Sequence, residues 1–403
     1  MRYLFGLVLV GTLIFGCGDS DSQSFLIVVE SSLHDPLEAS FEQYAETMRL
    51  EGFEIHVEPW VLPGTVEALK ALLFDYIDIH DIEGALLIGD LPAAWYEQIG
   101  LRGYEEFPTD IYLHDRDARW VDQDYDGRFD YHTPLELDIY TARLNGTPAQ
   151  LQDYFERAHH YRHVGALVDV SAFIFIDDDW SGNNYSDALS LRELYSSIEI
   201  IQDKADSTFD NYLAKLTGDG AEFVYQKMHA SPWLLSIAEL DEHGEPTNSL
   251  LTSQAVVDYN LKTSFVNMTN CFAANFTEES NLAEAYTVGT DYGLAIIGST
   301  KLGHQTNPRL FHENLADGMR WGEAYQAWFN EVGKYSDTWH LGVVLMGDPL
   351  LRVTGDLFPW GTTKAETTAI REDLERTTPD CGADVEPGTF EEYRQGHPEF
   401  FED

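Results

Sequence analysis

Positive charge is what this sequence has least of. Of 403 residues, 24 are Lys or Arg and 70 are Asp or Glu, so the net charge is 24 − 70 = −46. Only 8 of the cations are Lys. Such a chain repels a phosphate backbone, which excludes nucleic acid as a partner. Docking on anionic lipid through protein charge is excluded for the same reason. Cysteine is scarce as well: Cys17, Cys271 and Cys381 are the only three. They are too few for a disulfide framework in a chain of this length, which leaves one bridge or a working thiol. Apolar residues are not lacking. They make up 44% of the chain, with 13% aromatics, enough for a sizeable core. The length suits one large domain or two medium ones. Few Lys among many acids suits a salty habitat, cation binding or a cationic substrate.

The one long apolar run is at the start. Met1 and Arg2 precede Tyr3–Phe15, a stretch too short to span a bilayer comfortably and readable as a signal-peptide core. Leu13-Ile14-Phe15-Gly16-Cys17 resembles the bacterial lipoprotein box, with an imperfect match at Phe15. Residues 1–16 then form a signal peptide, Cys17 carries the lipid, and 17–24 is a polar tether. The expected location is the bacterial cell envelope, periplasmic or on the outer-membrane surface, with the lipid anchor as the sole membrane contact.

Beyond the tether, apolar strands alternate with amphipathic helices. Strands are expected at Phe25–Val29, Glu54–Val57, Gly84–Gly89 and Leu137–Thr141, and helices at Leu37–Glu51, Val66–Ile77 and Pro148–His163. The stretch between Gly89 and Leu137 reads as loop-rich. A second block repeats the logic, with strands at Ala172–Ile176, Ile198–Gln202, Phe223–Lys227, Ser264–Thr269 and Gly293–Gly298. Its helices are expected at Ser186–Ser196, Ser207–Lys215, Ser253–Tyr259, Asn281–Thr287 and Pro308–Val332, with Val343–Leu345 and Leu350–Val353 closing the fold. Such alternation predicts an α/β fold of mostly parallel sheets covered by helices on both faces. The blocks are read as two consecutive subdomains, 25–165 and 166–354. The tail, 355–403, carries 13 acids and 4 bases (4 − 13 = −9) without periodicity and reads as weakly ordered.

In open α/β sheets, reactive residues gather at the carboxyl ends of strands. In the second block Asp177-Asp178-Asp179, then Met228-His229, then Asn270-Cys271 follow three predicted strands. A cysteine nucleophile needs a base, and the base an orienting acceptor. Among 14 His the coincidence is modest by itself.

The words around these residues add to it. Phe223-Val224-Tyr225-Gln226-Lys227-Met228-His229-Ala230-Ser231 and Cys271-Phe272-Ala273-Ala274-Asn275-Phe276 resemble motifs of the gingipain family of cysteine peptidases, which have a caspase-like fold. So do Asn281-Leu282-Ala283-Glu284-Ala285 and Gly293–Thr300. In the first block Leu86–Asp90, Pro108-Thr109-Asp110, Asp138–Arg143 and the helix end at Tyr161 match, as does the closing Gly347-Asp348-Pro349. The resemblance covers about residues 25 to 353. It implies a three-layer α/β/α sandwich and an endopeptidase acting on protein or peptide substrates; a monomer is expected. Cys271 would be the nucleophile and His229 the proton carrier, passing through an acyl-enzyme without a catalytic cofactor. The backbone N–H groups of Cys271 and Ala230 would hold the oxyanion. The family's third catalytic acid best matches Asp179, and its acid for a basic P1 residue best matches Asp187. Met228 and Ala230 stand where the family usually has Gly. The alternative is therefore a degenerate surface lipoprotein that keeps the fold as a binding module.

Asp122-Gln123-Asp124-Tyr125-Asp126-Gly127-Arg128-Phe129-Asp130 has acids at alternating positions before a Gly, the pattern that wraps oxygen ligands around Ca²⁺. The twelfth position is Thr133, so this is a calcium-type loop and not an EF-hand. Asp122, Asp124, Asp126 and Asp130 are the expected ligands of a structural Ca²⁺. Tyr131 or Glu136 is available to close the site, and Asp110, Asp115 and Asp117 are near in sequence. His159 and His163, spaced i, i+4 on a helix, read as a partly exposed helix face rather than a metal site.

Overall fold

The computed structural model describes residues 22–353, apart from 181–185 and Glu242, together with Gly355; the side chains of Ser186 and Asp187 also lie outside the description. Cys17, Cys381 and the acidic tail thus lie outside the described residues. Among those described, no helix is long and apolar enough to cross a membrane.

The first block contributes β1 (Gln23–Glu30), β2 (Phe53–Trp60) and β3 (Ile82–Ile88), then β4 (Ala94–Gly100), β5 (Gly103–Thr109), β6 (Trp120–Val121), β7 (Tyr131–His132) and β8 (Tyr140–Leu144). The second contributes β9 (Ala172–Ile176), β10 (Ile198–Ile201), β11 (Ala221–Lys227), β12 (His229–Ser231) and β13 (Leu234–Leu240). β14 (Pro246–Thr252), β15 (Thr263–Thr269), β16 (Ala295–Ser299) and β17 (Val343–Gly347) follow. Ten strands form one sheet in the order β10-β9-β11-β15-β16-β17-β8-β3-β1-β2. The expectation of a sheet for each block is refined: the blocks are halves of one sheet. Its one antiparallel contact is β16 with β17, so the halves run in opposite directions. β17 pairs β8 in parallel through Met346 and Arg143.

Both faces of the sheet are buried, which is why its strands read as continuous apolar runs. Phe25, Ile27 and Val29 of β1 face a core shared with Phe223, Phe265 and Trp321 of the second half. Leu26 and Val28 face a separate cluster under the helix Val66–His80. The other face of the second half is a third cluster, around Phe173, Val224 and Val266.

Capping fixes the helix ends that the sequence made legible. The helix Pro148–His163 opens with Pro and a Thr147/Gln150 capping box. Asn281 caps Leu282–Thr287 through the Glu284 N–H. Other expectations need correction. The helix expected over Pro308–Val332 is two, Arg309–Ala316 and Trp321–Glu331, separated at Gly318 with φ +81°. Ser186–Ser196 is a four-residue helix, Ser186–Leu189, followed by the 3₁₀ turn Ser190–Glu193. Leu350–Val353 is not a strand. Its backbone serves instead as a clamp: Trp321 N–H donates to Leu351 O and Gly322 N–H to Pro349 O.

The closing motif works by convergence. Asp348 accepts from Arg162 at 2.6 Å and from Tyr44 at 2.9 Å, tying two helices of the first block to the last strand. Gly347 has φ +90°, and a Cβ there would lie 2.1 Å from Leu294 O, so only glycine fits. Asp110 and Arg143, both buried, form a bidentate pair at 2.7–3.1 Å. Arg143 also donates to Leu91 O and Pro92 O.

Candidate active site

The stretch after β3, expected to be loop-rich, holds the β4–β5 hairpin. The hairpin leans on the second half of the sheet. Thr300 Oγ donates to Pro108 O at 2.7 Å, Thr109 Oγ to Leu341 O at 2.6 Å, and Gln98 to Thr338 O at 3.1 Å. The second block likewise holds an unforeseen meander, β12-β13-β14, directly after His229.

β9, β11 and β15 are neighbours, with Lys227 opposite both Ile176 and Thr269. The chain therefore leaves all three strands at one level. Asp179, His229 and Cys271 lie two or three residues beyond it, at the same edge of the sheet. His229 Nε2 is 3.1 Å from Asp179 Oδ2, and the Trp180 ring lies 4.4 Å from the imidazole. Both members of that pair are about half exposed. The Asp178–Trp180 3₁₀ turn presents the acid.

Cys271 is partly buried at the head of a tight turn. Phe272, the next residue, has φ +62°, a left-handed conformation that is costly for a bulky side chain. Such strain persists only where neighbours over-determine it, and it gathers at functional sites. Here Phe272 N–H donates to Lys301 O at 2.9 Å and Ala274 N–H to Ser299 O at 3.0 Å. Gly298 permits this approach, since a Cβ there would meet Ala274 Cβ at 2.8 Å. Asn270 links the two key turns: it donates to Met228 O at 2.6 Å and accepts from Gln226 at 2.8 Å. The helix Leu282–Thr287 locks them again. Its first N–H groups, normally without partners, donate to Pro232 O at 2.7 Å and Ala273 O at 3.0 Å.

Burial pushes the Cys271 thiol up from its ordinary value. The Gly303 N–H and the cations Lys301 and Arg102 oppose that shift, while Glu105 adds to it. Lys301, 2% exposed, pairs with Glu105 at 3.0 Å. Gly303, Lys301, Arg102 and Glu105 were not picked out from sequence. The turn signal Gly100-Leu101-Arg102-Gly103 was there to mark the hairpin. Behind His229, Asp177 is buried and its carboxyl is pushed up to about 7, chiefly by desolvation.

Met228 and Ala230 need no glycine. Neither has a positive φ. Met228 is buried in the core, and Ala230 pairs with Leu235 in the meander. Asp187 belongs to the helix Ser186–Leu189, and its side chain lies outside the described residues.

The acidic loop is closed on itself. Asp122 accepts the N–H groups of Tyr125, Asp126 and Gly127 at 2.6–3.2 Å. Those bonds, Gly127's foremost, hold its carboxyl below the usual range. Oxygens of Asp122, Asp124 and Asp126 lie within 4.8 Å of one another, as do those of Glu97, Asp124 and Asp130. An all-carboxylate set of this kind suits a hard cation such as Ca²⁺. Glu97, on β4, was not foreseen. Asp110 and Asp115 are committed elsewhere, to Arg143 and to the N–H groups of Asp117, Ala118 and Glu136. Glu136 pairs with Lys334. His159 shares a hydrogen bond with Thr47 at 2.9 Å and meets His163 edge to face, a helix-surface arrangement.

The family model "Peptidase family C25" matches residues 20–354. The chain belongs to peptidase family C25. It is also similar in structure to a Porphyromonas gingivalis protein, solved as "Complex of Porphyromonas gingivalis RgpB pro- and mature domains", with a TM-score of 0.58 and 16% identity. The match covers 82% of this chain and 80% of that one. No curated protein matches the chain. The C25 assignment, the gingipain family, accounts for the order of motifs along both blocks. The structural likeness accounts for the large mixed sheet with helices on its faces.

Proposed function

We propose that this C25 family member is an extracytoplasmic cysteine endopeptidase working through Cys271 and His229. The observation that carries the reading is the shared edge: a strained cysteine turn and a carboxylate-held histidine follow adjacent, register-matched strands. Asp179 orients the imidazole and stabilises its cationic form, as the acid of a catalytic triad does. Burial favours the neutral thiol over the thiolate. His229 therefore takes the thiol proton as sulfur attacks the scissile carbonyl, and gives it to the leaving amine. The N–H groups of Cys271 and Ala230 are the proposed oxyanion donors. Water, deprotonated by the same imidazole, then cleaves the thioester and restores the thiol.

Around this chemistry the reading keeps an N-terminal lipid on Cys17, a monomeric state, and a structural cation at Asp122, Asp124, Asp126 and Asp130. A cation there would brace β4, because Phe129 in the loop exchanges backbone bonds with Trp95 and Glu97 at 2.8 Å. A basic P1 preference rests on Asp187 alone.

The test is active-site labelling with peptidyl acyloxymethyl ketones, alongside hydrolysis of a peptide library. Wild type should be alkylated at Cys271 and cleave peptides; Cys271→Ala should do neither. A non-catalytic binding module draws support from the burial that opposes thiolate formation. That second reading predicts no alkylation by any peptide ketone.

A further inference from the structure

Beside the cysteine turn is a pocket of about 300 Å³ between the β4–β5 hairpin, Lys301-Leu302 and Thr338-Trp339. That size is at the small end for ligand pockets and suits one large side chain rather than a cofactor. The pocket adjoins the cysteine turn through Lys301, whose carbonyl accepts from Phe272 N–H at 2.9 Å. Lys301 and Glu105 line it, and both act electrostatically on Cys271.

Its two charges cancel. Lys301 is buried, with its ammonium shared between Glu105 and Leu302 O at 2.7 Å. Glu105 also accepts from Gln98. An incoming carboxylate would have to lose its water and displace Glu105 from Lys301, at a large desolvation cost. An incoming cation would meet Lys301, with Arg102 at the adjoining turn. Of the remaining lining, Tyr96, Ile99, Leu101, Leu302 and Trp339 are largely apolar, and Gln98 and Thr338 add neutral polar groups. Lys301 lies 5.5 Å from the Trp339 ring centre. Ile99 and Leu101, at the hairpin tip, are 81% and 47% exposed. Apolar groups held open beside a cavity gain most when a second apolar group covers them.

We propose that this pocket is a substrate subsite which takes one uncharged, largely apolar side chain of the peptide. The first block, through its hairpin, thereby selects substrates for chemistry carried by the second. This rests on the reading of Cys271 as the nucleophile, and it is separate from any basic preference carried by Asp187.

The test uses the full chain and ketone probes that vary one position at a time among Leu, Phe, Gln, Glu and Lys. Iodoacetamide serves as a probe too small to need a subsite. At one position, Leu or Phe should speed alkylation of Cys271 about tenfold over Glu or Lys, the scale of hydrophobic-pocket discrimination. Leu101→Gln and Ile99→Gln change exposed tip residues without adding charge near the thiol, so folding is spared. They should erase that preference when each variant's peptide-ketone rates are divided by its own iodoacetamide rate. Glu105→Gln leaves Lys301 unpaired and should raise the rate of the Glu probe at that same position. A preference that survives both tip variants, or one for a charged side chain that they do not alter, overturns the subsite alone. Alkylation by iodoacetamide but by no peptide ketone overturns the peptidase reading itself, and the subsite with it.

Discussion

Two pairs, each an acid with a basic side chain, divide the molecule. Asp110 and Arg143, in the first half, are each 2% exposed, bidentate and further bonded to two carbonyls. Asp179 and His229, in the second half, are 53% and 47% exposed and meet at one contact. Both pairs come from family-like motifs. The first is saturated and dry, so it can only hold the fold. The second leaves a ring nitrogen and solvent access, so it can pass a proton. Motif resemblance alone does not separate these roles; burial and bonding do.

The comparison is open to attack, starting with the largest effect. Replacing Cys271 by Ala should abolish peptide hydrolysis with little change in the denaturation midpoint. His229→Ala should lower kcat/KM by roughly 10²–10⁴-fold, the usual range for general acid–base groups. Asp110→Ala should do the reverse. It leaves Arg143 buried and uncompensated, which costs about 3–5 kcal/mol of stability, read by urea unfolding. Asp179→Asn should reduce kcat while shifting stability by less than about 1 kcal/mol, because exposed pairs contribute little. Equal stability losses for Asp110→Ala and Asp179→Asn would erase the distinction.

Acid should separate the regions more gently. His114 and His340 are buried, and desolvation lowers each to about 4. Groups depressed in the fold add stability above their unfolded value near 6.5, and that stability is lost as pH falls toward 4. Urea midpoints should therefore drop over that window, and His114→Asn should flatten part of the drop. Asp177 acts oppositely. Its carboxyl, raised to about 7, favours folding below about 4 and withdraws that support as pH rises through 7. Smallest is the acidic loop. Micromolar Ca²⁺ should raise the melting temperature by simple linkage, and Asp124→Asn, which belongs to both carboxylate groups, should abolish the rise.

Much of this was legible because local and global signals agreed. Ala172–Ile176 and Pro148–His163 were read to the residue, the first from an unbroken apolar run and the second from its Pro and cap. The strand-end positions of Asp177–Asp179, His229 and Cys271 were legible because strand ends can be read from strands; the choice of Asp179 came from the family resemblance. The β4–β5 hairpin was not. Its apolar residues Ile99, Leu101 and Tyr104 are exposed, so the alternation carries no core signal. Lys301 was missed because its partner, Glu105, lies on the far block, and a contact that distant leaves no local pattern. The β8 strand was read three residues early, at Leu137, because Leu135, Leu137 and Ile139 are buried without being in the sheet.

One feature of the sheet bears on how the chain comes to be folded at all. Among the described residues β17 is the last strand to be synthesised, yet it sits in the middle, between β16 and β8. Until residue 347 has left the ribosome, each half carries a bare edge beside its apolar core. Asp348, which joins Tyr44 and Arg162, arrives one residue later. A chain cut short before Val343 would therefore lose its seam rather than its end. It should emerge as two sticky half-sheets, and the growing chain has the same vulnerability until its final strand inserts.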